Sequence, residues 1–267
     1  MDKQLSVVAT VAAGQTLGED DLLAEQTRGR PKALLPIAGK PMVVHVVEAL
    51  AAARHVRHVA IIALDPGLGV SFPLPVEYVP DAGSLFANVE AGFLFALDRY
   101  PGLDAVLYCA SDVPAITPAA IDAFIEDCFT TDHDLYYPVV ERGVMERRFP
   151  GSRRSYVHLR EGDFCGGDMM LFRPTLTVQQ RDTLRNLVGS RKSVLEQARI
   201  VGFGLLLKLL LRRLTLVEAE RRVARAMGVR GRVVLCPYAE IGMDVDKPFQ
   251  LEVIRAEMEA GKQPPRE

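Results

Sequence analysis

The stretch "AAGQTLGEDDLLAEQTRGRPKALLPIAGKPM", Ala12 to Met42, lies between an apolar run, "LSVVATV", and a helix-like pattern, "VVHVVEALAAA". Strand, glycine turn and helix in that order open an α/β unit. The turn itself is either an ordinary surface loop or a phosphate-binding loop carrying an insertion. Glycine lets backbone N–H groups approach a polyphosphate, and a lysine or arginine offsets its charge. Those parts are present as Gly14, Gly18, Arg28, Gly29, Arg30 and Lys32. The spacing is not that of a Walker A loop, because Lys32 stands eighteen positions (32 − 14) after Gly14 and no Ser or Thr follows it.

Outward from this stretch, apolar runs keep alternating with helical patterns. "VRHVAIIAL" reads as a second strand, "PVEYVP" as a short extended segment and "LDAVLYCA" as a buried strand. Between them, "GSLFANVEAGFLFALDRY" places Leu85, Val89, Phe93 and Leu97 on one helical stripe. "TPAAIDAFIEDCF" is a helix with Thr117 as its cap and Pro118 at its first position. The pattern predicts an α/β fold with a mostly parallel sheet. After Asp132 the rhythm changes. "DLYYPVVERG" and "GDMMLFRP" read as strands joined by a polar, basic connection, "RRFPGSRRSYVHLREGDFCGG". Helical stretches are expected over Thr177–Arg199 and Gly202–Met227, then a strand "RVVLCP", a helix from near Pro248, and a loose tail at 261–267.

The totals narrow the function. With 267 residues, 49% of them hydrophobic, the chain has material for a sizeable core. A net charge of −2 and a pI near 6.2 supply no broad basic field for a polyanion, so nucleic acid is not an expected partner. Cys109, Cys128, Cys165 and Cys236 lack metal or CxxC spacing and fit buried thiols in a reducing cytoplasm. The apolar start lacks a signal-peptide cleavage region. "VGFGLLLKLLLRRL", Val201 to Leu214, is too short for a membrane span of ~20 residues and reads as a buried helix, with an oligomer contact or a membrane-surface helix as alternatives.

Two further features carry chemistry. "YCASDVPAITP" puts Asp112 at the carboxyl end of a buried strand, where ligands of open α/β sheets bind. A carboxylate there suits Mg²⁺, though it also suits a cap on the following turn. In "GMDVDKPFQL", Asp244 and Asp246 alternate with Val245, so an extended backbone points both carboxylates the same way. Asp246 before Lys-Pro is equally an N-cap arrangement.

The segments "VATVAAG", "KALLPIAGKPM", "GSLFANVEAGF", "ASDVPAITP" and "MDVDKPFQL" occur in the order found in MobA-like nucleotidyltransferases, and on them the chain resembles that family over Leu5 to Thr131 and Gly242 to Met258. The resemblance implies a GT-A-like, Rossmann-like three-layer sandwich with extra helices inserted in the C-terminal half. It implies one nucleotidyltransferase domain over 1–260, with a nucleotide-binding half at 1–131, an acceptor-binding and helical region at 132–241 and a closing metal-binding segment at 242–260. By the same resemblance, Ala12, Ala13, Gly14, Arg30 and Lys32 hold phosphates, with Arg28 as the alternative arginine, and Gly83 and Ser84 contact base or ribose. Asp112, Asp244 and Asp246 hold Mg²⁺, with Mn²⁺ as a substitute, Lys32 and Asp112 are catalytic, and Gly166, Gly167 and Asp168 face the acceptor. The implied partners are an NTP and a phosphorylated small molecule, with a homodimer left open.

The loop departs from the family's compact Gly-x-Gly-x-Arg. Its acidic part, Glu19, Asp20 and Asp21, is expected to bulge outward as one helical turn, with Arg28 or Arg30 returning to the phosphates. Arg147, Arg148, Arg153, Arg154 and Arg160 either receive an anionic acceptor or form a solvated loop. The histidines read as non-catalytic. A glycosyltransferase using a nucleotide sugar and a non-catalytic nucleotide-sensing module are the rival readings.

Overall fold

The computed structural model describes residues 4–176, 208–209 and 211–260. Strand β1 (Val7–Ala12) is buried from Val7 to Val11, which is why it reads as an unbroken apolar run and not an alternating one. After it come a single turn, α1 (Ala24–Thr27), a small antiparallel hairpin of β2 (Pro36–Ile37) and β3 (Lys40–Pro41), and helix α2 (Met42–Ala52). β4 (Val56–Ile62) returns parallel to β1, β5 (Glu77–Val79) adds in parallel beyond β4, and β6 (Ala105–Ala110), following α3 (Leu85–Arg99), flanks β1 on its other side.

Alternate residues of β1 face different layers. Val7, Ala9 and Val11 join a core with Val43, Val46 and Leu50 of α2 and Ile121 and Phe124 of α4 (Pro118–Cys128). Val8 instead packs with Val89, Phe93 and Ala96 of α3. Two helix layers thus enclose the sheet, as expected. The approach of α3 is close enough that a Cβ on Gly92 would lie 2.6 Å from Ile62 Cδ1. One detail of α3 differs from the expected stripe. Leu85 is 57% exposed, and the face turned inward carries Val89, Gly92, Phe93 and Ala96, with Leu97 partly buried against the same cluster.

The second half continues the same sheet. β7 (Leu135–Glu141) runs straight into α5 (Arg142–Arg148), and β8 (Val157–His158), β9 (Asp163–Gly166) and β10 (Met169–Phe172) follow. β10 is antiparallel to both β6 and β7, and β9 is antiparallel to β7. The basic connection therefore contains the end of α5 and two strands in place of a plain loop. After α6 (Leu216–Met227), β11 (Gly231–Leu235) pairs in parallel with β7, and α7 (Pro248–Ala260) closes the described chain.

The expected helix at 177–199 lies outside the described residues. That over 202–227 is interrupted where it is described. Lys208 and Leu209 are helical, but 211–215 are not, Arg212 has φ 52°, and Thr215 starts α6 afresh by accepting from Glu218 N–H at 3.1 Å. Leu209 and Leu216 pack against Val139, Leu159, Phe164 and Leu214, as their apolar spacing suggested; Leu205 is outside the described set. All four cysteines are free and buried. No helix among the described residues is long and apolar enough to cross a membrane.

Candidate active site

The parallel strands end in register: Ala12 lies opposite Ile62 and Ala110, and Ile62 opposite Val79. The loops that follow β1, β4, β5 and β6 consequently leave from one edge, the edge at which ligands of such sheets sit. Gly83 and Ser84 are on the β5 loop, two strand spacings or about 10 Å from β1. Gly83 has φ 88°, its N–H donates to Asp81 Oδ1 at 3.0 Å, and Ser84 Oγ accepts from Ala87 N–H to cap α3. This loop shares the edge but does not touch the carboxylates described below.

The long loop is pinched at its base. Lys32 N–H donates to Gln15 O at 2.8 Å and Thr16 bridges Pro31, so Lys32 returns beside Gly14 despite its distance in sequence. The excursion between is held by Leu23, which is fully buried; Glu19, Asp20 and Asp21 are exposed as expected, but they lie in turns and a bend, and the helical turn expected for them forms after them, as α1. Gly14 is needed for a reason other than phosphate approach alone. A Cβ there would lie 2.1 Å from the Ala63 carbonyl oxygen, so only glycine lets β1 and β4 exit side by side. Arg28 is exposed at the end of α1 with φ 52°. Arg30 lines a separate cleft of about 450 Å³ with Leu34, Lys40, Ser71 and Phe72, so neither arginine reaches the carboxylates in this conformation.

Lys32 is 5% exposed and its ammonium donates to Asp112 Oδ2 at 2.7 Å and to Asp246. Burial pulls its pKa down, but Asp112 and Asp246 together outweigh that and hold it above the ordinary lysine value. Val245 N–H donates to the Asp112 carbonyl at 2.9 Å, which fixes the "DVD" segment against the end of β6. Asp246 contacts Lys32 through its carboxylate, and its N–H donates to Gln250 Oε1 in the first turn of α7 at 3.0 Å. Asp112 Oδ1 is buried without a hydrogen-bond partner, and Asp244 Oδ1, in ion contact with Arg154, accepts no well-formed hydrogen bond.

Asp168 enters through a break between β9 and β10. Gly166 faces Val139 and Leu171 faces Tyr136, so five steps on one strand (171 − 166) span three on the other (139 − 136). Gly167 sits in this bulge, where a Cβ would meet Ile241 Cγ2 at 2.7 Å and Pro138 Cγ at 2.9 Å. Desolvation, then the Asp112 charge, pushes the Asp168 carboxyl up to about 7, against the opposing pull of Arg154. Its Oδ2 lies 3.8 Å from Arg154 Nη2.

The five arginines of the basic connection divide. Arg148 pairs with the buried Glu240 at 2.6 Å and with Glu257, Arg153 stacks over Phe249, and Arg147 and Arg160 are exposed. Arg154 alone among these five enters the carboxylate cluster, with its side chain 14% exposed. Nothing in "GSRRSYV" distinguishes it from Arg153; the left-handed backbone of Arg153, φ 47°, turns the next residue inward. Glu240, 2% exposed and accepting from Thr117 Oγ1 at 2.9 Å, was likewise invisible in the sequence. His45 is buried on α2 against Ile37 O, a structural placement.

Residues 26–200 match the model of the MobA-like NTP transferase domain. The match leaves out β1, Gly14 and Asp244, which the Lys32–Gln15 and Val245–Asp112 hydrogen bonds tie to the matched region. Bifunctional protein GlmU of Rhodospirillum rubrum is 37% identical over 101 residues, 36% of this chain and 21% of that protein, so the likeness spans about a fifth of that relative. A solved structure described as a hypothetical transferase from Thermus thermophilus has a TM-score of 0.80 at 36% identity, covering 92% of this chain and 100% of that one. CMP:2-keto-3-deoxy-manno-octonic acid synthetase complexed with CTP shares the fold, with a TM-score of 0.55 at 18% identity over 97% of this chain and 100% of that one. With the loop base, the aligned strand ends and the carboxylate cluster in place, the chain belongs to the MobA-like NTP transferase domain family.

Proposed function

We propose that the protein transfers a nucleoside monophosphate from an NTP to a phosphorylated small molecule and releases pyrophosphate. The observation that carries this reading is the position of Lys32: the loop base holds it beside Gly14, and its ammonium lies between Asp112 and Asp246. Among the described residues the N–H groups of Gly14 and Gln15 make no hydrogen bond, so both are available to phosphate oxygens.

The donor set fits a divalent cation. Among the described residues the ion pairs of Asp112, Asp168, Asp244 and Asp246 are with Lys32 and Arg154, so four carboxylates meet two cations, and Asp112 Oδ1 is an orphaned hard-oxygen donor. Among the described residues no group of three or more His, Cys, Asp or Glu side chains is placed to hold a metal ion, so Mg²⁺ here would take one or two carboxylates and fill the rest of its shell with phosphate and water. Asp112 and Asp244 would hold such an ion, with Asp246 beside them, and it would supply neutralisation of phosphate charge.

The acceptor phosphate is already ionised near neutral pH, so one of its oxygens attacks the α-phosphorus without a strong general base. The new O–P bond forms as the bond to the bridging oxygen breaks, and the electron pair leaves on pyrophosphate. Lys32 and the Gly14 and Gln15 N–H groups stabilise that leaving charge, and the Gly83–Ser84 loop, on the same edge, receives base or ribose. Gly166, Gly167 and Asp168 face the acceptor. Arg30 serves phosphate only after turning from its present cleft.

The reading is tested by incubating the protein with Mg²⁺, each common NTP and a panel of sugar, alditol and pterin phosphates. Acceptor-dependent pyrophosphate release supports it. Sugar transfer from a nucleotide sugar, or tight NTP binding with no turnover across the panel, replaces it with one of the rival readings.

A further inference from the structure

Arg154 occupies an unusual position for a residue of a basic surface connection. Its guanidinium contacts Asp244 through Nη1, faces Asp168 Oδ2 at 3.8 Å through Nη2, and keeps Nε buried without a hydrogen-bond partner. Asp168 is also within the electrostatic reach of Asp112, Asp246 and Lys32, so these groups form one charge cluster. A guanidinium carries five donors in a planar fork, and here the fork is only partly used.

We infer that Arg154 is an exchangeable counter-ion: it neutralises Asp244 in the metal-free protein, is displaced when a divalent cation takes that carboxylate, and then binds the anionic group of the acceptor. The inference rests on the metal assignment made above and adds a specific role to one residue. Two cations compete for Asp244, and the guanidinium of an arginine does not deprotonate to relieve the conflict. Once released, its donors need an acid partner, because a charged group with buried, unpaired N–H is costly. A phosphate or carboxylate accepts the fork bidentately. The backbone favours a short excursion. Gly151 and Arg153 have φ values of 81° and 47°, Ser152 is 1% exposed and Arg153 rests on Phe249, so the turn is anchored on either side while the Arg154 side chain swings. Metal then acts as a gate for acceptor recognition: without it, the arginine is held by its own carboxylate.

The experiment needs no turnover. Mn²⁺ is titrated into the purified chain and followed by calorimetry or by the loss of the free-ion magnetic resonance signal. Arg154→Gln removes the competing charge and is expected to bind Mn²⁺ roughly tenfold more tightly than the wild type, and Arg154→Lys, which keeps the charge, to stay within about twofold. Unchanged or weaker Mn²⁺ binding by Arg154→Gln overturns the counter-ion role. A second measurement uses the unaltered chain. Phenylglyoxal labelling, read by peptide mass spectrometry, should rise severalfold at Arg154 when Mn²⁺ is present, and a rate indifferent to Mn²⁺ overturns the displacement even if the variant fails to fold. Failure of the underlying reading looks different: Mn²⁺ then binds equally well to the wild type and to Asp112→Asn, or binds to neither.

Discussion

Val245 N–H donates to the carbonyl of Asp112 at 2.9 Å, so the backbone that follows β6 is hydrogen-bonded, at Asp112 itself, to the valine between Asp244 and Asp246 in the backbone that precedes α7. The link fixes Asp244 and Asp246 on either side of Val245, which is fully buried. Because that bond uses main-chain atoms, Asp112→Asn leaves it intact and removes only charge. The expected result is a loss of pyrophosphate release of about a hundredfold or more, with an unchanged melting temperature to within a few degrees. Near-normal turnover would remove Asp112 from the metal assignment.

Lys32→Ala should act mainly on the nucleotide. The ammonium is buried between Asp112 and Asp246, whose side chains are 18% and 56% exposed, so water can partly solvate the carboxylates left behind. We expect kcat/KM for the NTP to fall by about a hundredfold. The pH dependence has a definite sign. The folded pKa of Lys32 is above its ordinary value of 10.5, so its stabilising contribution is complete below that pH and is lost as pH rises through the folded pKa. Wild type and variant should therefore converge in stability in alkali, as denaturant titrations at several pH values would register.

Much of the first half was legible because short-range chemistry and tertiary structure agree there. Thr117 caps α4 through its hydroxyl, Pro118 begins the helix, and the apolar runs became the parallel strands of a doubly covered sheet. Asp112 was a candidate because it follows the end of a buried strand, and Lys32 because "PKALLPIAGKPM" resembles the family's segment; the structure brings the two side chains together. The second half was less legible. Arg154 is selected from a run of arginines by a left-handed residue before it, and Asp168 by a bulge between β9 and β10. Neither feature has a period that a sequence displays. Leu85, the first residue of α3, misled because a helical stripe says which face is apolar, not which of its positions finds a neighbour to pack on.

Asp134, just before β7, ties that strand to the segments that follow β10 and precede β11. Its carboxylate accepts from Arg230 Nε at 3.0 Å and Nη2 at 2.8 Å and from Thr175 Oγ1 at 2.9 Å, and its carbonyl accepts from Arg173 N–H. Arg230 chiefly, then Thr175, holds the carboxyl below the usual aspartate range against the opposing effect of burial. A depressed pKa contributes stability that is present above the unfolded value near 3.8 and is lost as pH falls through the folded one. Asp134→Asn should cost about 1–2 kcal/mol at neutral pH, the half-exposed Arg230 limiting the figure, and the gap should close in acid. A gap that persists at pH 2 would show that packing, not charge, sets the cost.

Gly14 and Gly18 lie in the same loop and predict opposite outcomes. An added methyl at Gly14 would meet the Ala63 carbonyl at 2.1 Å, whereas nothing lies within 4 Å of the same position at Gly18, and neither glycine has a positive φ. Gly14→Ala is expected to destabilise by about 1–3 kcal/mol and to impair nucleotide use, because β1 and β4 must separate where the phosphate-facing N–H groups begin. Gly18→Ala is expected to be neutral or slightly stabilising. Thermal melts of both variants decide whether the glycine at the strand end is a packing requirement.

The acidic excursion gives a final test of how the insertion is carried. Thr16 and Pro31 close its base, Leu23 anchors it, and Glu19, Asp20 and Asp21 are exposed, with Asp21 Oδ1 accepting from Leu23 N–H at 3.0 Å. Charges that face solvent beyond about 10 Å from a ligand are largely screened at physiological salt. The triple change Glu19→Ser, Asp20→Ser, Asp21→Ser should therefore leave KM for the NTP within about twofold at 0.15 M salt, with a somewhat larger fall in KM at low ionic strength as long-range repulsion is removed. A tenfold change at physiological salt would mean that the loop closes over the phosphates during turnover, with its acidic face turned inward instead of out.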